Sequence, residues 1–578
     1  MARQTKQQGS GTPKGWLPGW RYSLVLVSVF AVAGTLGVRL VGLHVVDQEF
    51  LRDQGEQRTV RTEPIDANRG VITDRNGRSL AVSTPAMTLW MNPQELSGDD
   101  PRIAELASLL GLNEGRIRER LGAHPQREFL YLARKIQPSL AEQALAMELP
   151  GVYSRREYRR YYPAGEVASH VLGFTNVDDR GQEGLELSFD HWLSGEEGAK
   201  RVLRDNRGRN VRDISLVRDA RPGNDLRLSL DLRLQYLAYR ELKAVVQAHD
   251  ARGGSVVMLD ANTGEVLAMA NQPSFNPNDR GQLKPAALRN RAITDLFEPG
   301  STIKPLTAAA ALTSGQYSPD STIDTSPGFM RMGRFTIRDN RDYGELSLTE
   351  IISRSSNVGI SKVAMELSGN QLQDLFYRVG LGQSTGIGYP GEAVGVLPVQ
   401  ANWRPVEVAA LSYGYGLSVN ALQLAQAYKV LANGGIRYPV SLLRNDDTPR
   451  GQRVMSEEVA SDVRDMMVAV IEEGTGGQAR AGIYDAAGKT GTVHLVGAQG
   501  YERDQYKAIF AGMAPASDPR IVTVVTVDAP SGNEYYGGEV AAPVFGRIMA
   551  DALRLLNVPP DREASMAEDA TPVPGGQG

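Results

Sequence analysis

The chain has 578 residues, of which 41% are hydrophobic and 22% charged, with a net charge of −4. That balance describes a folded body of two or more domains and carries no basic footprint for nucleic acid. Cysteine is absent, which excludes disulfides, thiolate metal sites, thiol catalysis and a lipoprotein anchor.

Residues 1–21 carry Arg3, Lys6, Lys14 and Arg21 and no acid; Tyr22 to Val38 carry no charge, and after Arg39 the apolar run resumes as far as Val46. About 20 apolar residues span a bilayer, and an arginine near one end can snorkel to the interface. The basic flank predicts a cytoplasmic tail at 1–21, an uncleaved signal-anchor at 22–46 and the remaining chain outside. Ala31-Val32-Ala33 imitates a signal-peptidase site, but cleavage there would strand the apolar stub GTLGVRLVGLHVV.

Residues 47–225 form a charge-rich N-terminal region. In RGVITDRNGRSLAVS (69–83) two β-prone runs flank Asn76-Gly77 and predict a hairpin. Helical spacing runs through 101–148. The basic, aromatic stretch REYRRYYPAGEVASHVLGF (156–174) reads, from its residues alone, as a solvated face with a few packed tyrosines. From Leu226 the texture changes. LRLSLDLRLQYLAYRELKAVV passes from strand alternation to helix, and SVVMLDANTGEVLAMAN predicts two strands around an Asn-Thr-Gly turn. Two more strands are expected at 506–515 and 520–530, with mainly helices over 300–480. Strands at both ends and helices between predict one α+β layered domain over 226–558, its sheet joining distant segments. Residues 559–578 are rich in Pro, Gly, Glu and Asp and are expected to be a disordered tail.

Ser301 and Lys304 stand three apart in FEPGSTIKP. Residues at i and i+3 share a helix face, and Pro305 is tolerated only near a helix start. Ser301 to Lys304 is therefore the first turn of a helix whose body begins at Leu306. A serine there sits where free N–H groups favour developing negative charge. Lys304 is placed to hydrogen-bond its hydroxyl, and serves as a base once burial or a second cation makes its amine neutral. Alone, the pair describes an N-cap serine with a surface lysine.

Two further clusters change that. Ser355-Ser356-Asn357 and Lys489-Thr490-Gly491-Thr492 follow in order. Taken singly, the first could cap the helix VGISKVAMEL. Gly488-Lys489-Thr490 imitates the end of a phosphate-binding loop, but that loop needs glycine at 483, which is Ile, and must open a helix, whereas TVHLVG predicts a strand. Together the three clusters are S-x-x-K, S-x-N and K-T-G, the signature shared by penicillin-binding proteins and class A β-lactamases.

On these motifs, together with the N-terminal anchor, RGVITDRNGRSLA, YYPAGEVASHVLGF and LSYGYGLSVNALQLAQAY (411–428), the chain resembles a class B penicillin-binding protein. The glycine-rich wording of 411–428 resembles the division-specific FtsI type more than the elongation type. The resemblance implies a penicillin-binding transpeptidase domain at 226–558 behind a dimerisation-type pedestal at 47–225, the basic 156–174 stretch included. It implies Ser301 as nucleophile, Lys304 as its base, Ser355 as proton relay to the leaving amine, and Lys489 as the cation that keeps Lys304 neutral. Asn357 would hold the substrate amide and orient Lys304, Thr490 and Thr492 of the Thr490-Gly491-Thr492 run would bind the substrate carboxylate, and the N–H groups of Ser301 and Thr492 would form the oxyanion hole. Strand alternation turns Thr490, Thr492 and His494 to one face and Lys489 to the other. His494, Tyr413 and Tyr415 are expected near the cleft without a catalytic role.

The implied activity is peptidoglycan D,D-transpeptidation in septal wall synthesis through a Ser301 acyl-enzyme, with neither cofactor nor metal. Implied partners are D-Ala-D-Ala stem peptides, β-lactams, the membrane, and a SEDS-family glycan polymerase of the FtsW type with other division proteins. The implied place is the bacterial inner membrane, with a single pass and a periplasmic catalytic domain. An elongation-type enzyme, a carboxypeptidase or β-lactamase, a bifunctional synthase and a non-turnover β-lactam sensor or scaffold are the alternatives.

Overall fold

A computed structural model of the protein describes residues 19–46, 60–204, 210–281, 283–445, 447, 449–497 and 500–561. Most of the two expected tails, 1–18 and 562–578, falls outside the described residues. Two compact units are distinguished, Met1–Ala67 with Glu196–Arg221 and Asn68–Gly195 with Pro222–Gly578.

The first unit holds the apolar helix Gly19–Val41, followed by a π-helical turn Gly42–Val46. Its 23 residues rise about 34 Å, enough for a hydrocarbon core of about 30 Å. None of its side chains is buried, so the helix presents apolar groups on every side and fits a single-pass membrane anchor. The same unit contains an antiparallel three-stranded sheet in which Gly198–Arg204 pairs both Val60–Ile65 and Asn210–Arg218.

In the second unit the expected hairpin is present: Ile72–Thr73 pairs antiparallel with Ser79–Met91. Its turn closes because the Asp74 carboxylate accepts from the N–H groups of Asn76 and Arg78, both at 2.8 Å, a local arrangement that short acids favour. Helices Arg102–Leu110, Glu114–Ala123 and Pro138–Leu145 occupy the predicted helical span, but Leu130–Ile136 within it is a strand. Buried Leu130 and Leu132 alternate there with exposed Tyr131, a period of two that the surrounding helical spacing hides.

The solvated-face reading of 156–174 fails. Val152–Tyr161 is a strand paired along ten residues of Ser79–Met91. Arg160 is buried with its Nε 2.7 Å from Glu186, whose other oxygen takes Arg69 Nε at 2.6 Å. Buried charges persist only when paired and hydrogen-bonded, and here the partners come from remote sequence.

Segments 253–272 and 487–528 meet in one five-stranded antiparallel sheet of order Val266–Gln272, Gly253–Asp260, Ile521–Asp528, Gly500–Ala514, Ala487–Gly497. Val256, Met258, Phe510 and Val525 pack on one face against Leu234, Leu242, Phe545 and Ile548 of helices Leu232–Ala248 and Ala542–Leu555. Val257, Leu259, Ile509 and Val524 face the helices of the 300–480 region. Both faces are covered, so these strands are apolar without alternation. Ala487–Gly497 is the edge strand, with one row of backbone groups unpaired by the sheet and turned to the site. The chain stays fixed to Asp561, past the expected boundary at 558: its carboxylate accepts from Asp485 N at 2.9 Å and the Ser517 hydroxyl at 2.6 Å.

Candidate active site

Ser301 lies in a 3₁₀ turn, Gly300–Ile303, that runs directly into helix Lys304–Thr313. The expected first turn is thus the tighter kind, and the α-helix begins at Lys304 with Pro305 in its opening turn, where a missing N–H costs nothing. The turn is pressed between two neighbours. Gly300 has φ +54°, and a side chain there would come 2.4 Å from Val493 of the edge strand. Gly414 has φ +89°, and its Cβ would lie 2.1 Å from Gly300 O. The Gly300 N–H donates to Gly414 O at 3.1 Å. Below, the buried Tyr428 hydroxyl donates to Thr302 O at 2.6 Å. Ser301 is half-buried, and its hydroxyl makes no hydrogen bond among the described residues.

Lys304 is fully buried, and its Nζ lies 2.6 Å from Ser355 O, 3.1 Å from Ser355 Oγ and 2.7 Å from Asn357 Oδ1. The expected bond to Ser301 is not made in this resting arrangement. A buried amine must satisfy its N–H groups, and Ser355 O and Asn357 Oδ1 are the nearer acceptors, with Ser355 Oγ farther off. Ser355 has φ +61° and turns the chain between helices Leu348–Ser353 and Asn357–Glu366. That left-handed backbone costs a non-glycine residue energy, a strain that clusters at functional sites. The cluster also does what its plainer reading predicts: Ser356 caps the second helix, accepting from Gly359 N at 2.8 Å. The middle serine holds the helix while Ser355 and Asn357 reach Lys304.

From the opposite wall Lys489 Nζ donates to Ser355 Oγ at 3.0 Å. The predicted alternation is visible only from Gly491 onward, with Val493 buried, Thr492 half-buried and His494 exposed; before it Lys489 and Thr490 are both buried, and Lys489 Nζ comes 3.4 Å from Thr490 Oγ1. Thr490 is mostly buried, its hydroxyl 2.9 Å from that of Thr475, and Thr492 Oγ1 accepts from Gly537 N at 2.9 Å. Gly488-Lys489-Thr490 lies inside a strand and opens no helix. Burial holds the Lys304 amine well below the ordinary lysine value; the neighbouring Lys489 adds to this and the Asp339 carboxylate opposes it. Burial brings Lys489 down to about 7.

Three contributors escaped the sequence. Asp339 accepts from the Ser356 hydroxyl and Asn357 N, each at 2.5 Å, and from Val358 N at 3.1 Å, so one carboxylate fixes the S-x-N turn. It lies 17 residues before Ser356, with no local spacing to reveal it. Tyr428 is equally silent in sequence. Glu298 is the exception, a charge beside the Pro-Gly turn: its carboxylate accepts from Gly416 N at 3.0 Å and the Tyr501 hydroxyl at 2.8 Å, joining the nucleophile turn to the neighbouring loop and to the strand pair 487–514. His494 is exposed beside the Tyr506 ring, with centroids 4.6 Å apart, and Tyr413 and Tyr415 lie 5.5 Å apart, packed against the core. Among the described residues no group of three or more His, Asp or Glu is arranged to hold a metal ion.

The chain matches two family models: the penicillin binding protein transpeptidase domain over residues 254–550 and the penicillin-binding protein dimerisation domain over 64–228. It is 43% identical to the peptidoglycan D,D-transpeptidase FtsI of Escherichia coli K12, covering 94% of this chain and 93% of that one. It is 42% identical to the probable peptidoglycan D,D-transpeptidase PbpC of Pseudomonas aeruginosa, covering 93% and 96%. Among solved structures it resembles the aztreonam complex of penicillin-binding protein 3 from Mycobacterium tuberculosis, with 29% identity, a TM-score of 0.66 and coverage of 86% and 98%. It also resembles the transpeptidase domain of Burkholderia pseudomallei penicillin-binding protein 3, with 40% identity, a TM-score of 0.54 and coverage of 58% and 98%.

Proposed function

Since the chain belongs to the class B penicillin-binding proteins, we propose that it is a membrane-anchored peptidoglycan D,D-transpeptidase acting through an acyl-enzyme on Ser301. The observation that carries this is the Ser355 hydroxyl set between two buried lysine amines, at 3.1 Å from Lys304 and 3.0 Å from Lys489, beside a serine on a helix-opening turn.

With Lys304 neutral, two N–H groups donate to Ser355 O and Asn357 Oδ1, and its lone pair is left for a hydroxyl proton. When the stem peptide displaces the resting contacts, Lys304 takes the Ser301 proton and Ser301 Oγ bonds to the carbonyl carbon of the penultimate D-Ala. The N–H groups of Ser301 and Thr492, at the helix start and the open strand edge, hold the oxyanion. As the tetrahedral adduct collapses, the C–N bond breaks and the proton passes through Ser355 to the departing D-alanine nitrogen. Thr490 and Thr492 hold the terminal carboxylate, and Asn357 the substrate amide. The amine of a second stem then attacks the ester and loses its proton to Lys304; the C–O bond to Ser301 breaks as the crosslink forms, and Lys304 returns the proton to Ser301 Oγ. A β-lactam presents a reactive amide of similar shape and acylates the same serine.

The apolar helix supports a single-pass membrane anchor, and its basic flank supports a bacterial inner membrane with the catalytic domain in the periplasm. The kinship to FtsI supports septal synthesis over elongation, and with it a SEDS-family glycan polymerase of the FtsW type and further division proteins as partners. A thioester donor with a D-amino-acid acceptor tests the activity. Repeated turnover with transfer to the amine is expected; one equivalent of acylation and no further release identifies a sensor. Depletion is expected to give filaments, and rounded cells would overturn the septal role.

A further inference from the structure

Strands Phe329–Met332 and Phe335–Arg338 form an antiparallel hairpin pairing Phe329 with Arg338 and Met332 with Phe335. Its inner side is settled: Met330, Met332 and Ile337 pack with Val358, Ala409 and Tyr413. Its root is tied to the S-x-N turn, since Arg338 O accepts from Asn357 Nδ2 at 3.1 Å and the next residue is Asp339. The hairpin is therefore built onto the wall of the site, one residue from an amide that contacts Lys304.

Its outer side carries Phe329, Arg331, Thr336 and Arg338, which the register turns away from Met330, Met332 and Ile337. Arg331 and Arg338 on that side, Arg334 in the turn and Arg341 just past the second strand are exposed, and none of their side chains makes an ion pair or hydrogen bond among the described residues. Three of the guanidinium groups are stacked: Arg334 is 5.0 Å from the ring of Phe335, Arg338 5.8 Å from Phe329, and Arg341 5.1 Å from Tyr343. Phe329 and Phe335 are themselves exposed, 38% and 49%. Stacking leaves the N–H edges of a guanidinium free and limits the rotamer freedom it loses on binding. A planar fork of that kind matches a carboxylate bidentately. The nearest acids are held elsewhere and make no ion pair with these arginines among the described residues: Asp339 accepts from the S-x-N turn, and Asp342 accepts from Ser326 and Gly344.

We propose that this hairpin is a subsite for a carboxylate-bearing peptide strand, holding free carboxylates of a stem peptide beside Asn357. The inference rests on the transpeptidase reading, which brings stem peptides to the cleft. Donor and acceptor stems both carry carboxylates, so the shared chemistry is what the hairpin recognises.

The test uses the full-length Ser301→Ala chain in detergent, with or without Arg331→Gln, Arg334→Gln and Arg341→Gln together. Two probes are compared, a synthetic D-Ala-D-Ala stem pentapeptide with its internal carboxylates free and the same peptide with them amidated. Amidation is expected to weaken binding about tenfold in the parent and to have little effect in the triple variant. Unfolding midpoints of the two proteins report that the fold is kept. A tetrapeptide acceptor with free or amidated carboxylates, tested in the same way, tells which strand is held. Equal discrimination in parent and variant overturns the proposal. So does a variant that keeps peptide discrimination but loses binding to phosphatidylglycerol vesicles, which would make the hairpin a lipid contact. Penicillin labelling of the Ser301 protein tests the transpeptidase reading separately, so labelling without carboxylate discrimination overturns the hairpin alone.

Discussion

Lys304 and Lys489 meet at one hydroxyl, their Nζ atoms 3.1 and 3.0 Å from Ser355 Oγ. Two ammonium groups cannot share so dry a site cheaply, so at most one amine is charged there near neutral pH. Charge on Lys489 and neutrality on Lys304 is the division that leaves a base beside Ser301.

That division fixes how acylation depends on pH. Burial, and then Lys489, depress the Lys304 amine, while Asp339 opposes them. Lys489→Gln removes a cation and moves the acidic limb of the penicillin-acylation profile to higher pH. Asp339→Asn removes an anion and moves it to lower pH. Profiles of the two variants measured side by side check both signs, and limbs that stay in place contradict the assignment of Lys304 as base.

Stability should carry the same signature. Lys489 titrates at about 7 in the fold and at the ordinary 10.5 when unfolded. Between those values the unfolded chain binds a proton the folded chain does not, so stability rises with pH across this window, and below it the penalty of burying the charge is full. Relative to Lys489→Met, the unsubstituted protein should gain about 1.4 kcal/mol per pH unit there, read from urea unfolding at a series of pH values.

Ser355 separates strain from chemistry. Glycine and alanine at 355 both remove the hydroxyl, but only glycine accepts φ +61° without cost. Ser355→Gly should be about 1 kcal/mol more stable than Ser355→Ala by thermal unfolding, and both should acylate slowly.

Tyr428→Phe leaves Thr302 O buried without its 2.6 Å donor. The loss is expected to be about 1–3 kcal/mol of stability, with slower acylation as the nucleophile turn loosens, although the tyrosine touches no substrate.

Much of this was legible in the sequence because motif chemistry is local. Pro305 pinned Ser301 and Lys304 to a helix start, and strand alternation pointed Lys489 toward the serines. The helix-period misreading at 130–136 and the solvated-face reading at 156–174 failed for one reason. Leu130–Ile136 and Arg160 take their identity from strand Ser79–Met91 and from Glu186, partners that no local period reveals. Asp339 and Tyr428 were invisible for the same cause: each acts across a contact closed only by folding. The Lys304 contacts are likewise not legible in the sequence, because the competition between Ser301 and the Ser355 and Asn357 oxygens for one buried amine is decided by geometry.

The central claim is that Ser301 carries the acyl group. Fluorescent penicillin labelling of the full-length protein and of Ser301→Ala tests it most directly. One label per chain, mapped to the peptide containing Ser301 and absent from the variant, is the predicted result; labelling that survives the substitution contradicts the account.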